Sequence, residues 1–566
     1  MTTPSPFTPR GTPRSQRTLK QPGQAPEKAL QLPLFAVSEA PTEGSPPMPV
    51  APAYDGADSE PGYGSPTNAA APLQAEVKEG MEWLNEDPFP PPPPFLLPGE
   101  HLRKSMEKCI EYIIQHEGLG RSTAFEQFLF LLCAKLFEER NPGTPRCFWA
   151  DEKEARADEG CAAIRRRIAT LFDEVKEAVP SVFGSRDRLT LSDRTIAFVA
   201  GELGRHTLSA TELDPLGVAY QQWTSATARY NRGQFFTPLG AAFLAVGMLD
   251  PQEYERVLDN SCGCGAFLAA LYAYRASQLG LRFAEDVFVS PAPREIPEGE
   301  ARQQLSRYMQ TRVYGADLDS FLVDIARKQI ALAQGAPDHI YRMDSLAFPD
   351  GGADTARARA DIPLESLDCL VGNPPFGVKI TDPAVLARYE LARIWTKQGD
   401  HDYRREERLS KRVYSETLFL ERAINWLKPG GRLALIVPDG VLSEMSTAYA
   451  RTWLLKQAYL LAVVSLADET FYVESRTHTK TSVLLMRKKT VEEMRSDADG
   501  EHNYSIFMAI SERVGFNSRG KTLYKRGPNS EEVFYEGKRV VDNDLPIILS
   551  RYRQFRKSPH VLPPPA

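Results

Sequence analysis

From about Arg232 to Met486 the chain alternates short β-branched runs with helical stretches, and this alternation restricts the fold more than anything else in it. Candidate strands are Arg256–Asp259, Arg312–Gly315, His339–Arg342, Leu367–Val371, Arg432–Val437, Leu460–Leu466 and Thr481–Met486, with helices between most of them. Strand, helix and strand in succession imply a mainly parallel sheet covered by helices on both faces, an α/β architecture. Such a sheet binds ligands at the carboxyl ends of its strands. The residues that directly follow each strand are therefore the ones to read for chemistry.

Three strand ends carry acids, and a fourth carries a stiff polar corner. Val257-Leu258-Asp259-Asn260-Ser261-Cys262-Gly263-Cys264-Gly265-Ala266 reads as a strand, a glycine turn and a helix start. Gly263 and Gly265 let the backbone approach a ligand closely, although the third glycine of the dinucleotide fingerprint is missing. Asp317, closing Val313-Tyr314-Gly315-Ala316-Asp317, can hold both ribose hydroxyls of a nucleoside, whereas Asp319 reads as the cap of a helix starting at Ser320. Asp344, after Tyr341-Arg342-Met343, can accept from an adenine amine. Each of these acids alone also reads as a cap or turn residue. The fourth end is Leu367-Asp368-Cys369-Leu370-Val371-Gly372-Asn373-Pro374-Pro375-Phe376-Gly377. Proline fixes φ and removes a donor, so this loop presents carbonyl oxygens on a stiff frame. The Asn373 side-chain oxygen and the Pro374 carbonyl can accept both hydrogens of an exocyclic amine. That favours a tetrahedral nitrogen and frees its lone pair from the ring. Pro375 stiffens the corner, and Phe376 offers a face for a base.

The remaining chain sets the context. A length of 566 residues accommodates two to four domains. Residues 1–98 hold 22 of the 45 prolines and are expected to be a disordered tail, ending in a polyproline spacer from Pro90 to Pro94. Residues 99–215 read as a helical domain, with Leu102, Met106, Ile110 and Ile113 on one face and further helices over Ala124–Glu138, Cys161–Val179 and Ser192–Leu203. The catalytic α/β domain is assigned to 216–490, and 491–566 is a mixed peripheral segment. No run of about 18 apolar residues is present to span a membrane, and no apolar core follows the basic residues of the N-terminus as in a secretory signal. Seven scattered cysteines suggest reduced thiols in a cytosol. Cys262-Gly263-Cys264 could form half of a metal knuckle, but no second half follows, so no metal is expected. A net charge of −6 excludes duplex binding through an overall basic field. Any grip on nucleic acid must be local or supplied by a partner. Arg388, Arg393, Arg404, Arg405, Arg408, Lys411 and Arg412, between Ala384 and Val413, could touch phosphates, or with their interleaved acids form a solvated helical face.

In order and wording these motifs resemble the amino-group DNA methyltransferases that use S-adenosylmethionine, and above all the modification subunit of type I restriction–modification systems. The resemblance runs from about Glu100 to Phe555. It includes Arg232-Gly233-Gln234-Phe235-Phe236-Thr237-Pro238, Trp426-Leu427-Lys428-Pro429-Gly430-Gly431-Arg432, Pro438-Asp439-Gly440-Val441-Leu442 and Thr479-Lys480-Thr481-Ser482-Val483-Leu484-Leu485. It implies a Rossmann-like class I methyltransferase sheet and an N6-adenine DNA methyltransferase activity. It also implies a cofactor site of Gln234, Phe235, Thr237, Asp259, Gly263, Gly265, Asp317, Asp344 and Asn373, with Thr237 on the methionine carboxylate. Catalysis would fall to Asn373, Pro374, Pro375 and Phe376, with a residue near His478 helping to stack an adenine flipped out of duplex DNA. Between the last motif strand and the chain's end there is little room for a target-recognition domain. The family delegates that task to a specificity subunit, with a second copy of the modification subunit and a restriction subunit as further candidate partners. The implied location is the bacterial cytoplasm, at the nucleoid. In the tail, Gln31-Leu32-Pro33-Leu34-Phe35 resembles the peptide that docks replication and repair proteins on the sliding clamp, and it reads equally as a stray apolar patch. Two other functions fit the same loop: methylation of a protein glutamine amide, and a non-catalytic cofactor-binding scaffold in a DNA-defence complex.

Overall fold

The computed structural model describes residues 102–141, 146–208, 216, 219, 237–281, 296–399, 402–471, 479–496, 504–517, 521–535 and 538–557. All of them belong to one compact unit, residues 68–566. The proline-rich tail with Gln31–Phe35, the pair Gln234 and Phe235, and His478 lie outside the described residues.

Among the described residues four helices come first: α1 (Leu102–Glu117), α2 (Arg121–Arg140), α3 (Asp158–Ala178) and α4 (Asp193–Leu203). The α1 stripe of Leu102, Met106, Ile110 and Ile113 is buried, as its spacing predicts. Helix α2 buries residues on every side, including Phe125, Phe128, Leu129, Phe130 and Leu131, so it runs through the middle of the group. Ser192 caps α4 by accepting from the Thr195 N–H. This core is not closed on itself. Cys264, Leu322, Ile325 and Leu332 complete it, and Phe125 meets Phe321 at 5.7 Å between ring centroids.

The sheet has eight strands: β1 (Val257–Asp259), β2 (Val313–Asp317), β3 (Ile340–Arg342), β4 (Leu367–Gly372), β5 (Leu427–Pro438), β6 (Ala458–Ser465), β7 (Thr481–Lys488) and β8 (Phe507–Ile510). They lie in the order β8-β6-β7-β5-β4-β1-β2-β3. All pair in parallel except β7, which runs antiparallel to both β5 and β6. The chain builds outward from β1 through β2 to β3, then returns to the far side of β1 with β4. That reversal opens the crevice in which open α/β sheets bind ligands.

The longer helices that cover the sheet among the described residues are α5 (Leu239–Leu249), α6 (Ala266–Gln278), α7 (Glu298–Thr311), α8 (Ser320–Leu332), α9 (Ser415–Trp426), α10 (Ala448–Gln457) and α11 (Leu545–Phe555). Strand periodicity separates two cores. In β5, Ala434 and Ile436 pack with α5, α6 and α11, whereas Leu433, Leu435 and Val437 pack with α9 and α10.

All seven candidate strands are present, within a few residues of their expected bounds. Three features differ from the sequence reading. Strand β8 extends the sheet beyond the last expected strand. Strand β5 starts at Leu427, ahead of the Arg432 at which the expected strand begins, and so takes in Lys428–Gly431. The basic segment after the Asn373–Phe376 loop does not present a helical face. It is an antiparallel hairpin of Arg393–Lys397 with Tyr403–Leu409, preceded only by the short helix Pro383–Leu386. Alternating β-branched, aromatic and long side chains (Ile394, Trp395, Thr396, Tyr403) favour the pleated form there.

Candidate functional site

The site is built from the carboxyl ends of β1, β2, β3 and β4. Asp259 lies opposite Gly315 of β2 and Val371 of β4, so the glycine turn after β1 stands between the two neighbouring loops. Gly263 and Gly265 have φ of +52° and +103°, which only glycine adopts without strain. A Cβ on Gly263 would meet nothing within 4 Å, so the turn faces open space. The turn is pinned from β2: Asp317 Oδ2 accepts the Gly263 N–H at 2.9 Å and Oδ1 accepts the Asp319 N–H at 3.0 Å. Asp319 caps α8, accepting from the Phe321 and Leu322 N–H groups, as its sequence position suggests.

Asp259, Asn260 and Ser261 form the polar wall of the crevice. Asp259 is 1% exposed; its Oδ1 accepts the Ser261 N–H at 3.1 Å, while Oδ2 is buried without a hydrogen-bond partner. Burial pushes this carboxyl up to about 8. Both polar atoms of the Asn260 side chain and the Ser261 hydroxyl are likewise buried and unsatisfied. Leaving such groups unbonded costs about 1–3 kcal/mol each, so a polar ligand belongs here. Asn260 also explains Gly372: a Cβ there would sit 2.8 Å from Asn260 Oδ1.

Asp344 follows β3 and accepts the Leu346 N–H at 2.8 Å. The adjacent Ser345 hydroxyl donates to the Asn260 carbonyl at 2.7 Å and ties this loop to the end of β1. Between Asp317 and Asp319, Leu318 is 65% exposed, an apolar side chain set at the rim of a polar crevice. Sequence reading assigned no site role to Leu318, Asn260 or Ser261, and took Asn260 only as a departure from the proline common at that place in the family. Their only signal is position, directly after a strand's terminal acid.

At the end of β4, Asn373 is 8% exposed and its Nδ2 donates to Thr237 Oγ1 at 3.1 Å, across 136 residues of sequence. Thr237 precedes Pro238, the N-cap of α5. Phe376 is buried, its ring set edge-to-face against Phe471 at 6.3 Å. The corner is braced from α9. Ser415 Oγ donates to the Pro375 carbonyl at 2.6 Å, and Glu416 accepts the Gly377 N–H at 3.1 Å. Further along α9, Glu421 accepts the Glu390 and Leu391 N–H groups, and Arg422 donates to the Leu346 and Phe348 carbonyls and to the Tyr389 hydroxyl. One helix thus positions the loops after β3 and β4 together. The signal for this was a Glu-Arg pair inside the apolar run Phe419-Leu420-Glu421-Arg422-Ala423-Ile424.

The structure therefore gathers Asp259, Gly263, Gly265, Asp317, Asp344, Thr237 and Asn373–Phe376 along one edge of the sheet. Cys262 and Cys264 point into different cores, one beneath the sheet and one in the helical group, and do not share a metal-binding geometry. All seven cysteines are buried. The donor set fits S-adenosylmethionine: carboxylates and amides for the ribose, amine and ammonium groups, unsatisfied polar atoms at the end of β1, and open space above the Gly263 turn.

The N-6 DNA Methylase family profile matches residues 212–518, which take in all of these residues and every strand of the sheet. The methylase subunit of the type I restriction enzyme EcoKI from Escherichia coli (strain K12) is 21% identical over 412 residues, 70% of this chain and 67% of that protein. The StySPI methylase subunit from Salmonella potsdam is 23% identical over 388 residues, 66% of this chain and 63% of that protein. The match thus spans about two thirds of each relative's length. A type I restriction–modification methyltransferase subunit from Streptococcus thermophilus has a solved structure that aligns with 80% of this chain and 93% of its own, at 15% identity and a TM-score of 0.41. With more than half of its length matched by the profile, the chain belongs to the N-6 DNA methylase family.

Proposed function

We propose that the protein transfers a methyl group from S-adenosylmethionine to the exocyclic amine of an adenine turned out of duplex DNA, as the modification subunit of a type I-like restriction–modification complex. The observation that carries this reading is the juxtaposition at the sheet's reversal. The unsatisfied wall Asp259-Asn260-Ser261 ends β1, and the braced corner Asn373-Pro374-Pro375-Phe376 ends the adjoining β4.

Bound S-adenosylmethionine supplies an electrophilic methyl on a positively charged sulfur, which takes the C–S electron pair as the methyl leaves. The chain's own residues do the rest. Asp317 would accept from the ribose hydroxyls, and the exposed Leu318 would offer the cofactor's adenine an apolar contact. Asp344 accepts from its amine. Thr237 faces the methionine end and, through its hydrogen bond, orients Asn373. Asn373 Oδ1 and the Pro374 carbonyl hold the two hydrogens of the target amine. Its lone pair is thereby directed at the methyl carbon; the methylated nitrogen is left positively charged and acidic, and it gives one of its two held protons to water. Phe376, steadied by Phe471, takes the face of the turned-out base.

A net charge of −6 leaves the duplex to be gripped by local patches and a separate DNA-specificity subunit. A second copy of the chain and a restriction subunit are its further expected partners, in a bacterial cytoplasm. Among the described residues no helix is long and apolar enough to cross a membrane.

The test is to purify the tagged chain with its partners from its host. The complex is then offered tritiated S-adenosylmethionine with unmethylated host DNA and, separately, with release-factor protein. Label recovered as N6-methyladenine supports the proposal. Label on protein glutamine replaces it with the amide reading, and binding without transfer replaces it with the scaffold reading.

A further inference from the structure

We propose that the short strand pair Lys379–Ile380 and Val413–Tyr414 is a ledge that grips the DNA strand carrying the target base, beside the catalytic corner. The inference rests on the DNA-methylation reading and adds to it a surface and its ligand, the phosphodiester backbone together with the base next to the one turned out.

The ledge is continuous with the corner at both ends. Lys379 pairs with Tyr414 and Ile380 with Val413, three residues after Phe376 and directly before Ser415. The Ser415 hydroxyl holds the Pro375 carbonyl, its N–H donates to the Val378 carbonyl at 2.8 Å, and Glu416 holds the Gly377 N–H. A group bound on the ledge is thereby fixed relative to Asn373. What the ledge presents to solvent is cationic and aromatic. Tyr414 is 47% exposed, with Lys379 Nζ 5.6 Å from its ring centroid. Lys379, Lys411 and Arg412 are exposed, and none of them makes an ion pair among the described residues. The neighbouring hairpin differs. There Arg393 pairs with Glu407, Arg405 with Glu390 and Glu407, and Arg408 with Glu406, so most of its charge is internally balanced. Of the carboxylates beside the ledge, Glu416 is turned onto Gly377, and Asp382, two residues past Ile380, caps the short helix by accepting the Ala384 N–H at 2.8 Å.

One cation beside an exposed aromatic ring, with two more in the residues directly before the strand Val413–Tyr414, matches a nucleic-acid strand chemically: cations meet phosphates, and a ring face stacks on a base whose own neighbour has left the helix. In an acidic chain this concentration of positive charge is local and sits where the turned-out base must enter.

The experiment uses the full chain in the complex isolated from its host, comparing wild type with the Lys411→Gln/Arg412→Gln double variant, Tyr414→Ala and Tyr414→Phe. The double variant is expected to flatten the dependence of log K for DNA on log salt by about 1.8, close to 0.9 for each phosphate that is no longer neutralised. Tyr414→Ala is expected to raise KM for DNA roughly tenfold, the effect of losing one base stack, with Tyr414→Phe near wild type. The dissociation constant for S-adenosylmethionine stays unchanged in all three. Variants that methylate DNA with wild-type salt slope and KM overturn the ledge while leaving the methylation reading intact. A Tyr414→Phe as impaired as Tyr414→Ala overturns the stacking role. A wild-type complex that transfers nothing to DNA removes the methylation reading and the ledge with it.

Discussion

Replacing Asp259 with asparagine should remove a pH dependence that this one carboxyl imposes on the whole fold. Its ordinary value of 3.8 rises to about 8 because it is buried with only the Ser261 N–H to stabilise the charge and with Asp317 nearby. Below about pH 4 the proton is bound in both folded and unfolded chains, and the associated stability is fully present. Between about pH 4 and 8 only the unfolded chain ionises, so stability falls by about 1.4 kcal/mol per pH unit, and the fall ends once the folded group ionises too. From pH 5 to 8 this comes to roughly 4 kcal/mol. Unfolding entropy is roughly 2.1 cal/mol/K per residue, so a unit of this size loses about 1 °C of Tm per kcal/mol. Asp259→Asn keeps the shape of the protonated acid and cannot ionise. Scanning fluorimetry of the cofactor-free chain should show wild type losing about 4 °C more than the variant between pH 5 and 8, with the two close at pH 5. Parallel profiles would mean that Asp259 is ionised in the folded protein at neutral pH, and the argument from its burial would be wrong.

Three further substitutions test other parts of the site. Asp317→Ala removes both the ribose acceptor and the anchor of the Gly263 N–H, so the dissociation constant for S-adenosylmethionine should rise by roughly 10- to 100-fold in calorimetry; an unchanged constant removes Asp317 from the cofactor site. Ser415→Ala frees the Pro375 carbonyl and should lower kcat roughly tenfold without changing cofactor affinity, since only the corner loses its brace; a change in affinity with kcat preserved contradicts that assignment. Gly372→Ala puts a methyl 2.8 Å from Asn260 Oδ1 and should depress cofactor binding and Tm together, and wild-type values for both would show that the wall is not rigid.

The architecture was legible because strands and helices carry different periods, and β4 and β5 are apolar runs that only a sheet covered on both faces can bury. The acids at strand ends were legible for the same reason: a polar residue that closes an apolar run marks where the chain leaves the core. Strand β8 escaped because Phe507–Ile510 is short, with Met508 and Ile510 exposed, and a four-residue edge has no distinctive pattern. The hairpin after the Asn373–Phe376 loop escaped because its interleaved charges suit a helix surface and a strand pair equally well. Long-range partnerships were not legible at all. Nothing in the spacing of Thr237 and Asn373, or of Ser415 and Pro375, announces that their side chains meet. Such pairings follow from strand order, which the sequence of elements alone leaves open.

The account depends most on the corner at Asn373, and one comparison tests it most directly. Transfer of tritium from S-adenosylmethionine to unmethylated host DNA is measured for wild type and Asn373→Ala in the isolated complex, with the cofactor's dissociation constant measured alongside. Loss of one of the two amine acceptors should lower kcat by at least roughly a thousandfold while cofactor affinity stays within about threefold. Transfer by Asn373→Ala at a rate near wild type would contradict the account.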